Sequence, residues 1–116
     1  MKRISALALA VLCLSGCAKN KMLDLSGNWE TSTRDGNLYL HLGSSGGTAN
    51  FEGYETSNIS YKAKDDWQAK FSGHIYTEDF RMYTLGEAYI TKNGILKIET
   101  EILQDKKTTT LSFHKQ

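Results

Sequence analysis

From Leu25 to the end of the chain, apolar residues recur at every second position, and this period restricts the fold more than any other feature. Leu38, Leu40 and Leu42 alternate with polar neighbours, and two further segments, 67–75 and 96–102, do the same. Successive side chains of a β-strand point to opposite faces of its sheet, whereas a helix needs a period of 3.6. The alternation therefore predicts antiparallel strands with one buried and one solvated face.

Turn residues separate these segments at short intervals. Asp35-Gly36 and Asn93-Gly94 are hairpin signals, because tight two-residue turns need a positive φ, and Gly46-Gly47 marks another reversal. The predicted strands are 27–32, 37–42, 48–54, 58–64, 66–76 with a bend at Gly73, 79–85, 87–92, 95–103 and 108–114. We expect an all-β domain: a small antiparallel up-and-down β-barrel of about eight or nine strands, or alternatively a two-sheet β-sandwich.

The residues predicted to point inward are bulky enough to fill a barrel of this size, which disfavours a wide ligand calyx. They are Leu38, Leu40, Leu42, Phe51, Ile59, Tyr61, Trp67, Phe71, Ile75, Phe80, Met82, Ile90, Leu96, Ile98, Leu111 and Phe113.

Residues 1–16 have the features of a secretory signal peptide. Lys2 and Arg3 supply a positive charge, and an apolar run over 4–14 is interrupted only by Ser5. As a helix this run is roughly 16 Å long, too short for a hydrocarbon core of roughly 30 Å. We therefore predict a signal helix and not a permanent membrane span.

The segment Leu14-Ser15-Gly16-Cys17 directly follows this run and resembles the lipobox of bacterial lipoproteins. The resemblance implies cleavage before Cys17, S-diacylglycerol on its sulfur and an N-acyl chain such as palmitate on its new amine. Several acyl chains give stable anchoring. Ala18 and Lys19, in place of an Asp, imply an outer-membrane location. An ordinary signal peptide that leaves Cys17 as a free thiol is the alternative.

The predicted organisation is thus a signal peptide over 1–16, an acylated cysteine and tether over 17–24 and a barrel domain over 25–116. Cys13 falls in the removed segment, so no disulfide framework is expected. The 14 Lys and Arg residues against 13 Asp and Glu give no reason to expect nucleic-acid binding. Without Lys2 and Arg3, 12 basic residues face 13 acidic ones, which argues against a polybasic membrane patch.

Gly27-Asn28-Trp29 resembles the Gly-x-Trp opening of lipocalin-like barrels. The resemblance implies that Trp29 closes the barrel floor and that a basic residue late in the last strand, here Lys115, packs across it. It also implies a carrier of a small apolar ligand. The alternative is that Trp29 is simply the first large core residue of a β domain.

No arrangement of residues predicts catalysis or a metal site. His41, His74 and His114 fall on separate predicted strands, and the pairs Asp65-Asp66 and Glu78-Asp79 fall at predicted turns. Sequence motifs of hydrolases and nucleotide-binding proteins are not found. We therefore expect neither an enzyme nor a cofactor beyond the lipid on Cys17. An envelope hydrolase using His41 or His74 with a carboxylate is the alternative.

Several tyrosines fall on the predicted polar faces, and Arg81 lies beside one of them. Exposed Tyr and Arg are enriched at protein interfaces, although Tyr is also a good strand former. The predicted interface consists of Tyr39, Tyr76, Arg81, Tyr83 and Tyr89.

The first functional hypothesis is a lipid-anchored outer-membrane lipoprotein that binds an envelope protein without catalysis, as an assembly factor, an inhibitor, or an immunity or exclusion protein. The second is a lipocalin-like carrier of a small apolar ligand.

Overall fold

The computed structural model describes residues 21–78 and 80–116. The predicted signal helix, the lipobox and Cys17 lie outside this part of the chain. Nine strands follow one another: β1 (Gly27–Thr33), β2 (Gly36–Leu42), β3 (Gly46–Phe51), β4 (Ser57–Ala63), β5 (Gln68–Ser72), β6 (His74–Tyr76), β7 (Met82–Ile90), β8 (Leu96–Ile102) and β9 (Lys107–Lys115). The prediction of an all-β domain is confirmed.

The strands close into an antiparallel barrel. Consecutive strands pair from β1 to β5 and from β7 to β9, and β9 returns to pair with β1. The pairing of β5 with β7 completes a ring of eight strands, and the short β6 is a ninth strand that also pairs with β7. The barrel expected from the sequence is therefore confirmed over the two-sheet sandwich.

Because successive strands run in opposite directions, the connections between them lie alternately at the two ends of the barrel. At one end, here called the Trp29 end, lie the connections at 43–45, 64–67 and 91–95, together with residues 21–26 and Gln116. At the other, the Asp35 end, lie the connections at 34–35, 52–56, 77–81 and 103–106. Residues far apart in sequence are brought together at each end.

Two predicted strands are a single strand in the structure. Segments 79–85 and 87–92 were expected to form a hairpin, but a bulge between Leu85 and Ala88 shifts the register of β7 without reversing the chain. The predicted bend at Gly73 is present. Gly73 has a φ of 139°, and a Cβ there would lie 2.8 Å from Cγ2 of Ile59, so the bend needs a glycine.

Most of the predicted inward residues are buried, but two predictions are wrong. Trp67 is 50% exposed because it lies in the connection before β5, and Phe80 is 74% exposed because it precedes β7 with a φ of 60°. Three more, Met82, Ile90 and Leu111, are only partly buried. Buried residues that the predicted set lacked include Leu25, Tyr83, Leu85 and Ile102.

The chain is attached to the Trp29 end before the first strand begins. The N–H of buried Leu25 donates to the hydroxyl of Tyr61 at 2.8 Å, and that hydroxyl donates to the carbonyl of Gly43 at 2.7 Å. The N–H of Leu23, inside the predicted tether, donates to the carbonyl of Asp65 at 2.8 Å. Whatever precedes Leu23 therefore emerges beside the 64–67 connection.

Candidate binding site

The residues predicted to form a tyrosine-rich interface lie on different parts of the barrel. Tyr39 is on β2 and Tyr89 is on β7, and three strands separate β2 from β7 in either direction around the ring. Tyr76 lies toward the Asp35 end and Tyr89 toward the Trp29 end, because they pair with opposite ends of the β5–β7 and β6–β7 ladders. The three do not share one surface.

The remaining two residues of that predicted interface are not exposed, so this part of the prediction is wrong. Tyr83 is 1% exposed, since the bulge in β7 puts it in phase with the core, and its ring packs 5.2 Å from that of Phe51. The side chain of Arg81 is 15% exposed and lies between two carboxylates, those of Asp35 and Asp105. Both residues hold the Asp35 end together.

The Arg81 cluster joins three connections of the barrel. The guanidinium of Arg81 donates through Nη1 and Nη2 to the two carboxylate oxygens of Asp105, and its Nε lies 3.3 Å from Oδ2 of Asp35 without hydrogen-bond geometry. The hydroxyl of Tyr83 donates to the same Oδ2, and burial, followed by this contact, raises the pKa of Tyr83. Arg34 approaches Asp105 at 3.8 Å. These groups connect the turns at 34–35 and 103–106 with the start of β7.

The cluster predicts a pH dependence of stability. Hydrogen bonding to Arg81, reinforced by the charges of Arg81 and Arg34, lowers the pKa of Asp105 below its ordinary value. A carboxyl whose pKa is lowered by folding stabilises the fold above its unfolded pKa, and that contribution is lost as the pH falls through the folded pKa. Asp105→Asn should therefore lower the urea midpoint at pH 7, and the gap to the parent should shrink below about pH 4.

Glu55→Gln is the matched control, because Glu55 is an exposed carboxylate with no ion pair within the described residues. It should leave the midpoint unchanged at every pH. A gap between Asp105→Asn and the parent that stays constant from pH 7 to pH 2 would contradict the assignment.

Gly27, Trp29 and Lys115 make a cluster at the Trp29 end. Trp29 and Lys115 are registered partners of β1 and β9, and Nζ of Lys115 lies 5.6 Å from the Trp29 ring centroid. Nε1 of Trp29 donates to the carbonyl of Leu25 at 2.9 Å. A Cβ on Gly27 would lie 2.7 Å from Cε of Lys115, and Gly27 has a φ of 135°. The predicted contact of Lys115 with Trp29 is present, and glycine leaves room for it.

The ladder between β1 and β9 is short. Of the described residues, only His114 with Glu30 and Lys115 with Trp29 are registered between these strands, whereas β9 forms seven registered pairs with β8. The N–H of Gln116 adds a bond of 2.9 Å to the carbonyl of Asn28. Toward the Asp35 end the strands are not paired. We call this gap, flanked by 31–33 and 108–112, the β1–β9 seam.

The backbone of β9 at the seam has groups without a ladder partner. Alternate residues of an antiparallel strand direct both backbone groups to the same neighbour. The N–H of Gln116 points to β1. Thr110 and Thr108 lie an even number of residues before Gln116, so their N–H and C=O groups point in the same direction, toward the seam. Both side chains are exposed. The seam is therefore an open strand edge in the wall of the barrel.

A cavity of about 360 Å³ opens at the seam near the Asp35 end. Its wall includes Tyr83, Ile102 and Leu111, whose side chains point into the barrel, and its mouth includes Arg34 and Lys107. A second depression of about 600 Å³ lies along the seam toward the Trp29 end, between Ser32 and Ser112. Volumes of a few hundred Å³ are within the range of small-molecule sites.

The residues considered for catalysis do not converge. Nδ1 of His41 lies 2.8 Å from Oδ1 of Asn28, and Nδ1 of His74 lies 3.1 Å from Oγ1 of Thr84. Asp65 accepts hydrogen bonds from the N–H groups of its own turn, and Asp79 lies outside the described residues. Among residues 21–78 and 80–116, no three His, Cys, Asp or Glu side chains are grouped so that they could hold a metal ion.

The class defined by these observations is an eight-stranded antiparallel barrel with a seam between its first and last strands. Comparison with models of protein families, with curated proteins and with solved structures finds no match to this chain. Within the part of the chain that the structure describes, no helix has the length and apolar character needed to cross a bilayer.

Proposed function

We propose that this chain is a lipid-anchored lipoprotein of the bacterial outer membrane that binds an envelope protein without catalysis. The lipobox-like segment Leu14-Ser15-Gly16-Cys17 supports the anchor, with acylation at Cys17. The binding mode rests on the seam: the partner contributes an extended segment that pairs with the free edge of β9.

The open edge of β9 is the observation that carries this proposal. Natural sheets usually cover or interrupt such edges, because unpaired N–H and C=O groups bind other strands. Here the edge runs past Thr108 and Thr110, whose side chains are small and uncharged. Added strands obtain affinity from main-chain hydrogen bonds and specificity from alternate side chains. The cavity of about 360 Å³ beside this edge offers a pocket for one such side chain.

Thr110→Pro should abolish partner binding while the barrel stays folded. Proline removes the N–H that faces the seam and leaves the bonds of β9 to β8 intact, as proline does at a sheet edge. Thr110→Ala is the matched control, because it removes the side chain and keeps the N–H. The full chain is extracted from its own envelope in mild detergent and the intact assemblies are weighed by native mass spectrometry.

We expect a stoichiometric polypeptide on the parent and on Thr110→Ala, and none on Thr110→Pro. The same spectra report the acyl chains on Cys17. A partner that remains bound to Thr110→Pro would contradict binding at the seam.

A carrier of a small apolar ligand is the second candidate, because the cavity at the seam reaches the inward side chains of Ile102 and Leu111. In this case, the parent would carry an added mass of a few hundred daltons that survives detergent exchange, and no polypeptide. Ile102→Trp, which fills the cavity, would then remove that mass.

A further inference from the structure

Three lysines lie together on the outer wall beside the Trp29 end. Lys62 on β4 and Lys70 on β5 are registered directly opposite each other, and Lys64 follows two residues after Lys62. Lys64 pairs with Glu87, but among the described residues neither Lys62 nor Lys70 has an acidic group within ion-pair distance. Like charges directly opposite on a sheet destabilise it. Glu87 on β7 is registered opposite Lys70 and offsets part of this repulsion, and an anion outside the fold would offset the rest.

The charge balance of the whole chain conceals this cluster. Asp35 and Asp105 lie at the far end of the barrel. Two acidic residues lie close to the lysines: Asp65 accepts hydrogen bonds within its own turn, and Glu87 pairs with Lys64. Asp66 is exposed nearby, where it lines a depression together with Lys21. The argument from net charge against a basic patch therefore does not apply to this wall.

Apolar side chains stand next to the lysines. A depression of about 790 Å³ is lined by Met22 together with Lys62, Lys64 and Lys70. Trp67, the last residue of the 64–67 connection, is half exposed, and its ring centroid lies 6.3 Å from that of Tyr89 in an edge-on arrangement. Met22 is also half exposed. Basic side chains beside Trp and Tyr are typical of surfaces that lie at a membrane interface.

The position of the chain before the barrel restricts what can cover this surface. Leu23 is bonded to Asp65, so the six peptide links from Cys17 to Leu23 end beside the 64–67 connection. These links span at most about 22 Å when fully extended. An acyl chain on Cys17 would hold the bilayer within that reach of the 64–67 connection.

We propose that this wall, formed by Met22, Lys62, Lys64, Trp67, Lys70 and Tyr89, lies on the bilayer and binds the anionic headgroups of its phospholipids. This inference rests on the anchor in the proposed function and adds a defined orientation. The lysines bind headgroup phosphates, while Met22 and Trp67 enter the interface. The Asp35 end and the open part of the seam then face away from the membrane.

The test uses the acylated full chain, reconstituted in vesicles of phosphatidylcholine with or without phosphatidylglycerol. Both vesicles contain brominated acyl chains, which quench tryptophans that reach the interface. The chain has two tryptophans, and Trp29 is buried, so a change in emission reports Trp67. We expect quenching in vesicles that contain phosphatidylglycerol and not in phosphatidylcholine alone, and no change for Trp67→Phe.

Lys62→Gln with Lys70→Gln should lose this quenching, because two lysines at an anionic surface favour contact by roughly 30-fold. Lys106→Gln with Lys107→Gln, two exposed lysines at the Asp35 end, is the matched control and should behave as the parent. Equal quenching in both vesicles, no quenching in either, or an equal loss in the control would overturn the proposal.

The anchor and the surface can fail independently. A protein whose intact mass shows no acyl chain would overturn the anchor. The surface is then tested with the same unacylated full chain by cosedimentation with the two kinds of vesicle, where binding to phosphatidylglycerol that depends on Lys62 and Lys70 supports it and equal binding to both overturns it.

Discussion

Trp29→Ala should lower the free energy of unfolding by about 3–5 kcal/mol, the usual loss for a large buried aromatic residue. Trp29 is 3% exposed, its Nε1 bonds to the carbonyl of Leu25, and Lys115 covers its ring. The substitution therefore leaves a cavity where the first strand, the last strand and the segment before β1 meet. Since small domains have about 5–15 kcal/mol in total, much of the stability is lost. Urea unfolding followed by circular dichroism measures the effect.

Trp67→Ala is the control for this experiment, because it removes the same side chain from an exposed turn. Its cost should stay within about 0.5 kcal/mol, as for most surface substitutions. Equal losses for the two variants would show that Trp29 does not hold the barrel closed.

Gly47→Ala should also destabilise the barrel, with a cost of at least about 1–3 kcal/mol. Gly47 is registered with Leu42 between β2 and β3, and a Cβ there would overlap the carbonyl oxygen of His41. Backbone atoms cannot rotate away as a side chain can, so the two strands must separate. The connection at 43–45, whose carbonyls bond to Tyr61, would shift with them.

Gly43 lies in the neighbouring 43–45 connection, and Gly43→Ala serves as the control. Its Cβ would meet only the carbonyl oxygen of Gly46, at 3.5 Å, which is an ordinary contact. Thermal unfolding and amide exchange of β2 and β3 should be impaired in Gly47→Ala and close to the parent in Gly43→Ala. A Gly47→Ala variant with native exchange in these strands would contradict the predicted clash.

Local features of the sequence were enough to predict the barrel. The alternation around Leu38 and Leu96 gave the buried faces, and Asp35-Gly36 and Asn93-Gly94 gave the turns, where Gly36 and Gly94 do have positive φ. Both signals act between neighbours in the chain. The bulge at 85–88 was not predicted, because one extra residue reverses which side chains along β7 point inward. For the same reason Tyr83 was assigned to the wrong face.

The features that define the candidate site arise between residues distant in sequence. Arg81 meets Asp35 and Asp105 only after the turns have been brought to one end, and no local pattern marks these three residues as partners. The seam depends on how far the β1–β9 ladder extends, which the sequence does not state. The run Thr108-Thr109-Thr110, which lacks an apolar alternation, is a local feature that could have indicated an edge, but the sequence analysis did not use it. The lysine cluster similarly required the pairing of β4 with β5.

The ladder between β1 and β9 also determines when the molecule can finish folding. Most other pairings join neighbours in the chain, whereas Glu30 and Gln116 are 86 positions apart. Contacts at such separation form slowly, because the entropy of closing a long loop must be overcome first. We expect the barrel to stay open until β9 is in place, since β1 has no other partner on that side. Closure is then a late step of folding that depends on the few bonds of this ladder.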